Sequence, residues 1–382
     1  MKKKKKKYFA ELMEKYKGDG CEPRCRYFGQ CGGCMFQHIP YENQLLLKKE
    51  YINYTFNGIA SVNEVKGSEP YGYRSRMDMV CAFGMKGLRK SGSYRHVVDI
   101  ETCSIMQHRS DETYGMARTL LKDVADYNYL KHEGYLRYIV LRQAKFTGEL
   151  MVNLVVSETE NRFGNILNDL LEQADSVSLI LSDGLADLSY GRIFQTLKKG
   201  YIMENFDNIN YMITPNSFFQ SNSDMAREMY RRIRSYTRGR TLDLYSGVGS
   251  ISLFVSPAAE SVTGIEVIQE AVDVAGRNAE INEMKNVNFI CADTLEYMKE
   301  NSGNYDTLIL DPPRSGMHPK MIKHINVMKP ERIIYMSCNP VTCRDDIKML
   351  EGYRVEFIEA YDMFPQTPHV ETLTLLTAEK NV

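Results

Sequence analysis

Residues 241–255 read TLDLYSGVGSISLFV: a short apolar run, a glycine turn, and a second apolar run with helical spacing. Strand, glycine turn and helix in that order open a βαβ unit. Gly247 and Gly249 allow the chain to turn tightly and its backbone to approach a ligand. The following run, SVTGIEVI, carries Glu266, 19 residues after Gly247. An acidic side chain at the end of a second strand accepts hydrogen bonds from ribose hydroxyls. The third glycine of a pyrophosphate-binding turn is missing, because residue 252 is Ser. The turn therefore disfavours a dinucleotide and suits an adenosine cofactor without phosphates, S-adenosylmethionine.

Working outward, helix and strand patterns alternate from about residue 206 to the end: SDMAREMYRRIRSYT, VNFICAD, YDTLILDPP, KMIKHINVM, RIIYMSC and CRDDIKML among them. This alternation predicts an α/β, Rossmann-like domain over 206–382, with a mostly parallel sheet and helices on both faces. Two closing runs, RVEFIEAYDMF and HVETLTLLTA, have no helix between them and should pair antiparallel at one end of the sheet. Residues 61–205 read differently. MDMVCAFGMKG, YRHVVDIE, LRYIVLRQA, ELMVNLVVS and SVSLILSD are strand-like, and helical stretches such as SDETYGMARTLLKDVADYNYL interrupt them. They predict a central α+β domain with an antiparallel sheet. Residues 1–60 hold four of the nine cysteines, a lysine run and the helical stretch ENQLLLKKEYINYTF.

The 382 residues are 43% hydrophobic and 25% charged, with a formal net charge of −1, so the chain as a whole is not a polycation. Positive charge is local, in Lys2 to Lys7 and in RRIRSYTRGR at 231–240. The first reads as a solvated tail or a nucleic-acid arm, the second as a nucleic-acid contact or a solvated helix face. No apolar run is long enough to span a membrane, and no apolar segment follows the lysines as a secretory signal would require. Nine cysteines without such a signal predict reduced thiols in the cytoplasm, used for metal binding or catalysis.

Chemistry-bearing side chains recur where strands end. Tyr245, Glu266, Asp293, Asp311 and Cys338 should gather at the carboxyl edge of the parallel sheet, where open α/β sheets bind ligands; Asp293 is read with the cofactor-contacting group. Asp311 precedes two prolines that stiffen its loop. Cys338 ends the run IIYMSCNP (333–340), placed for nucleophilic attack. Cys343, five residues on, is the rival and is expected to pack inside a helix. Glu371, in YDMFPQTPHVETLTLL, offers a partly desolvated carboxylate for proton transfer. A nucleoside cofactor, a thiol and a carboxylate base together suit methylation of uracil at C5.

These residues carry a resemblance. FFQSNS (218–223), LDLYSGVGS, DPPRSGMHP, YMSCNP and DMFPQTPHVETL are together similar to the RNA 5-methyluridine methyltransferases. The likeness extends to CRYFGQCGGCMFQH (25–38), YRSRM (73–77) and LRYIVLRQAKFTGELMVNLV (136–155). It implies Cys338 as nucleophile and Glu371 as base. It places Gln220, Tyr245 and Glu266 on the cofactor and Asp311 between cofactor and target base. Ser250, where some relatives carry Asn, would offer a hydrogen bond.

Cys25, Cys31 and Cys34 form C-x5-C-x2-C, with Cys103 in VVDIETCSI. Four thiolates suit zinc or an iron–sulfur cluster. The resemblance, to the iron–sulfur-containing branch of the family, implies a structural [4Fe–4S] cluster on these four, with Cys21 the alternative to Cys25. Cys81 and Cys291 lie in apolar runs and are expected in the core. The implied partner is RNA, ribosomal RNA ahead of a transfer RNA T-loop uridine, with Tyr73, Arg74 and Arg76 stacking on bases and contacting phosphates. No membrane and no obligatory protein partner is expected. Two other readings stand beside this one: an N-methyltransferase acting on a base amino group, which needs Asp311-Pro312-Pro313 but not Cys338, and a non-catalytic iron–sulfur RNA-binding protein.

Overall fold

The computed structural model describes residues 2–301 and 303–379, with side chains from Lys7 onward. Two sheets organise the chain. The larger has eight strands, in the order Val65–Lys66, Tyr353–Tyr361, Glu371–Ala378, Arg332–Ser337, Thr307–Leu310, Arg240–Leu244, Ser261–Glu266 and Val287–Cys291. The five strands between residues 240 and 337 run parallel. Central ones such as Thr307–Leu310 (TLIL) are buried along their whole length, because helices cover both faces. The last two long strands pair antiparallel, as expected. They do not close the sheet, however. Glu371–Ala378 inserts between Arg332–Ser337 and Tyr353–Tyr361, and Val65–Lys66 adds a further parallel edge.

One face of this sheet packs on helices Ser223–Tyr236, Ser250–Val255 and Gln269–Ile281 and on the hairpin Ile202–Phe206/Ile209–Ile213. Asp207 and Asn208 turn that hairpin with positive φ at both positions, the conformation a two-residue hairpin loop requires. Since Phe206, Tyr211 and Ile213 bury against the carboxy-terminal core, the break after residue 205 read from the sequence falls inside a hairpin; the change of core comes before Ile202.

The other face takes helices Pro319–Met328 and Pro340–Ile347 together with the amino-terminal helix Tyr41–Thr55, whose Leu47 and Ile52 join Leu308, Ile333 and Leu376 in one core. The first sixty residues are thus not a free-standing segment. Lys2–Lys17 is a helix, and beyond the lysine run Leu12 is buried with Tyr8, Phe9 and Met13 packed beside it.

The second sheet has seven strands, ordered Ser93–Asp99, Met85–Lys90, Arg76–Ala82, Leu136–Gln143, Leu150–Val156, Ser176–Leu181 and Arg192–Lys198. It is antiparallel as expected except for one pair. Leu150–Val156 and Ser176–Leu181 run parallel, joined by a crossover through helix Ile166–Gln173. Cys81 is buried, but Cys291 is exposed, correcting its assignment to the core: its strand is the outer edge of the large sheet. The basic cluster at 231–240 is largely engaged within the fold. Arg231 pairs with Asp207, Arg232 with Glu359, and Arg234 lies over Phe254. Among the described residues, no helix is long and apolar enough to cross a membrane.

Candidate active site

Arg240–Leu244 and Thr307–Leu310 are neighbours, and their connections leave in opposite directions along the sheet. This is the topological switch point, where a crevice opens beyond the carboxyl ends of the strands. A cavity of about 1320 Å³ lies there, lined by Gln220, Tyr245, Glu266, Asp311, Cys338 and Glu371. The turn after the first strand is strained: Tyr245 holds φ 67°, unusual for a bulky residue, and Gly247 and Gly249 follow at 54° and 78°. A Cβ at Gly249 would stand 2.5 Å from Phe289, whereas one at Gly247 would meet nothing within 4 Å. Gly249 therefore serves packing, and Gly247 leaves open space on the ligand side. Glu266 accepts from the amides of Gly247 at 3.1 Å and of Val267 at 2.8 Å. A carboxylate retains lone pairs for a ribose after such bonds.

Two expected cofactor residues lie elsewhere. Neither Ser250 nor Asp293 lines the cavity. The Ser250 hydroxyl is 3.1 Å from that of Tyr230. Asp293 caps helix Thr294–Glu300, accepting from the amides of Leu295 and Glu296, so the ordinary role of a polar residue after a strand holds there.

The antiparallel ladder explains how Cys338 and Glu371 meet. Ser337 pairs with Thr372, so one step further along the ladder brings Cys338 level with Glu371. The strand then breaks because Asn339 becomes a helix cap: its side chain accepts from Val341 N at 3.3 Å, and Pro340 occupies the first turn. Asn339 also donates to the carbonyl of Arg314 at 2.9 Å, tying the thiol to the Asp311-Pro-Pro-Arg loop. Cys343 is buried in helix Pro340–Ile347 against Thr374, as expected of a packing residue.

Burial sets the electrostatics. It pushes the Cys338 thiol up to about 11, with the Glu371 and Asp311 charges adding to the rise and Arg314 opposing it. Burial likewise pushes Glu371 up to about 8, again with Arg314 opposing, and Asp311 well above the carboxylate range. Arg314, which the sequence reading left without a role, is thus the cation facing this acidic group. Its Nη2 lies 3.3 Å from His369 Nδ1. Burial, Arg314, Lys48 and Arg74 push His369 down to about 4. The imidazole is neutral at pH 7 and accepts from the guanidinium, which only donates.

The raised Glu371 has a consequence for stability without ligand. The folded state holds its proton up to about 8, against the ordinary glutamate value of 4.5. Its stabilising share is therefore complete below about pH 4.5 and falls as pH rises through 8, by about a few kcal/mol in total. Urea denaturation at pH 5.5 and 8.5 should show this loss in the wild type and a smaller one in Glu371→Gln. Equal losses would contradict the assignment.

The loop 362–370 before Glu371 is clamped from the amino-terminal part of the chain. Lys48, fully buried, pairs with Asp362 at 2.5 Å. Burial pushes Lys48 down and Asp362 up, while each charge pulls the other back. Gln44 exchanges two hydrogen bonds with Gln366, at 3.0 and 3.1 Å. The amides of Met35 and Phe36 donate to the Gln366 carbonyl at 2.8 and 3.0 Å. Gln366 itself holds φ 68°. Removing one partner of a buried pair costs about 3–5 kcal/mol. Lys48→Ala should therefore lower stability by about that much in chemical denaturation, and Lys48→Met with Asp362→Leu should recover most of it.

Tyr73 belongs to the same clamp. It is buried and donates to Pro365 O at 3.0 Å, so it is not free to stack on a base. Arg76 pairs with Asp78 at 2.8 Å. Of the three expected RNA contacts, only Arg74 lines the cavity.

Cys25, Cys31, Cys34 and Cys103 all line the far side of this cavity, and Cys21 does not. Burial, then the other thiols, pushes Cys103 up to about 12. Burial also raises Cys34 to about 11, with Cys31 and Cys25 contributing. Cys103 is buried and Cys25, Cys31 and Cys34 are half-buried, and the raised thiols of Cys34 and Cys103 each feel the charge of the others. Among the described residues, no group of three or more His, Cys, Asp or Glu is drawn together closely enough to hold a metal ion.

A family model described as tRNA (Uracil-5-)-methyltransferase matches residues 40–379. The tRNA (uracil(54)-C(5))-methyltransferase of Pyrococcus furiosus is 37% identical over 351 residues, covering 91% of this chain and 83% of that protein. An uncharacterized RNA methyltransferase of Clostridium tetani is 36% identical over 393 residues, covering 92% and 83%. The crystal structure of the Pyrococcus abyssi tRNA (uracil-54, C5)-methyltransferase in complex with S-adenosyl-L-homocysteine superposes with a TM-score of 0.80 at 36% identity, covering 90% of this chain and 86% of that one. Fold, site and relatives agree: the chain belongs to the tRNA (uracil-5-)-methyltransferase family, S-adenosylmethionine-dependent enzymes that methylate C5 of uracil in RNA.

Proposed function

We propose that this protein methylates C5 of a T-loop uridine in transfer RNA through a transient bond between Cys338 and C6 of the base. The carrying observation is the meeting of Cys338 and Glu371 at one level of the ladder, inside the cavity that Tyr245 and Glu266 also line from two other strands of the same sheet. The relatives named for uracil 54 of tRNA favour that substrate over the ribosomal RNA expected from the sequence.

Glu266 holds the ribose, Gln220 and Tyr245 bound the cofactor, and Asp311 stands between cofactor and target base. Bound S-adenosylmethionine supplies an electrophilic methyl group on a sulfonium. The Cys338 thiol gives its proton to solvent, the thiolate adds to C6, and the C5–C6 π pair moves toward O4, leaving C5 electron-rich enough to take the methyl. Glu371 then removes the C5 proton. The freed pair re-forms the C5–C6 double bond and expels the Cys338 thiolate. Arg314 is the group that eases ionisation of both residues. A uridine in folded RNA must leave its stack to reach this depth.

Cys25, Cys31, Cys34 and Cys103 would hold a [4Fe–4S] cluster. Its role is structural, because the chemistry above transfers no electrons between redox states. The donor set of four soft sulfurs supports it. A brown protein with absorbance that dithionite bleaches is expected; colourless protein binding zinc alone would contradict it.

The function is tested by incubating the protein with S-adenosylmethionine and either a tRNA or a 23S rRNA transcript, then analysing nucleosides by mass spectrometry. 5-Methyluridine in the tRNA digest is expected. A methyl group on an exocyclic amine, or none in either RNA, would overturn the proposal.

A further inference from the structure

The strands Met85–Lys90 and Ser93–Asp99 meet at a tip that the catalytic description leaves unused. Lys90, Ser91, Gly92, Ser93 and Tyr94 line the cavity that also contains Cys338 and Glu371. Tyr94 is 68% exposed, an aromatic ring left in water at the cavity mouth. Arg95 Nε donates to its hydroxyl at 3.1 Å, and the guanidinium lies 5.5 Å from the ring centroid. Among the described residues, Lys90 and Arg95 have no acidic partner, whereas the adjacent Arg89 is bound to Asp187. One cation of the hairpin is engaged within the fold, and the two at the tip are not.

The tip is also held in place. Ser91 N donates to Gln30 O at 2.8 Å, and Gly32 N donates to Arg89 O at 2.9 Å. Cys31 forms a β-bridge with Lys90. A single exposed tyrosine on a surface is ordinary. An exposed ring on a braced tip, beside two unpaired cations and open to the catalytic cavity, has the parts of a site for single-stranded nucleic acid: an aromatic platform and phosphate-binding cations.

We propose that this hairpin tip holds a second, unpaired nucleotide of the RNA substrate, with its base stacked on Tyr94 and its flanking phosphates on Lys90 and Arg95, while the target uridine occupies the Cys338 pocket. The proposal deepens the RNA-methylation reading and depends on it. The tip adds affinity for folded loops over short fragments, because only a longer strand reaches both places.

The test measures binding of a T-arm stem-loop and of a uridine trinucleotide by fluorescence anisotropy over a series of salt concentrations. Tyr94→Ala should weaken stem-loop binding roughly tenfold or more, and Tyr94→Phe should retain it. Lys90→Ala with Arg95→Ala should flatten the log–log salt slope by about 1 to 2. None of these changes should alter trinucleotide binding. Wild-type stem-loop affinity and salt slope in the Tyr94→Ala and Lys90→Ala/Arg95→Ala proteins would overturn the proposal, as would equal losses on both RNAs. Those outcomes leave uracil methylation standing. Absence of 5-methyluridine with wild-type protein would instead remove the catalytic reading, and the anisotropy series would still decide whether the tip binds RNA.

Discussion

Replacing Cys338 by alanine reduces methyl transfer to RNA by at least about 10⁴-fold, the scale on which covalent enzymes lose activity with their nucleophile. The substitution removes one half-buried sulfur and leaves the surrounding ladder intact, since Ser337 and Thr372 still pair and Asn339 still caps its helix. The cofactor residues lie on other strands, so binding of S-adenosylhomocysteine should persist in calorimetry. Retention of cofactor with loss of tritiated methyl incorporation is the expected pair of results. Substantial methylation by Cys338→Ala would favour chemistry on a base amino group, which needs no thiol.

Glu371→Gln stalls the reaction after the methyl group has moved. The thiol leaves only when the C5 proton is removed, so an amide at this position strands the RNA on the protein. Turnover should fall by about 10²–10⁴-fold, the range for loss of a general base. A denaturant-resistant protein–RNA band, absent from Cys338→Ala, should accumulate. Glu371 is buried yet lines the cavity, with Arg314 the charge that opposes its raised pKa, so its carboxylate is available to the substrate. Its pKa near 8 without ligand fixes the sign of the pH dependence: the ionised form is the base, so single-turnover release should quicken as pH rises toward 8. Release independent of Glu371, or no trapped band, would move the base elsewhere.

The parallel sheet was legible because its signals are local. The run at 241–255 carries strand, turn and helix within fifteen residues, and polar or thiol side chains such as Glu266, Asp311 and Cys338 stand at or just after the ends of later strands. The Cys338–Glu371 pair could be named from motifs, but their meeting depends on the inserted final strand, a register that no local pattern states. Asp293 shows the limit of reading by position. It follows a strand as Asp311 does, yet Asp293 caps a helix while Asp311 lines the cavity. Cys291 failed for a related reason: VNFIC looks like a core strand, and only the sheet order reveals an edge. The clamp of Lys48, Gln44 and Tyr73 on loop 362–370 joins residues about 300 positions apart, beyond any sequence window. Arg314 followed the motif closely enough to be seen, but its role needed the two acids and the thiol placed around it.

The most direct test offers the enzyme and S-adenosylmethionine a T-arm RNA carrying 5-fluorouridine at the target position. Fluorine cannot leave as a proton does, so the adduct cannot be released. Tryptic mass spectrometry should find the methylated nucleotide joined to the peptide bearing Cys338. An adduct on another residue, or no adduct with an RNA whose ordinary uridine is methylated, would contradict the account.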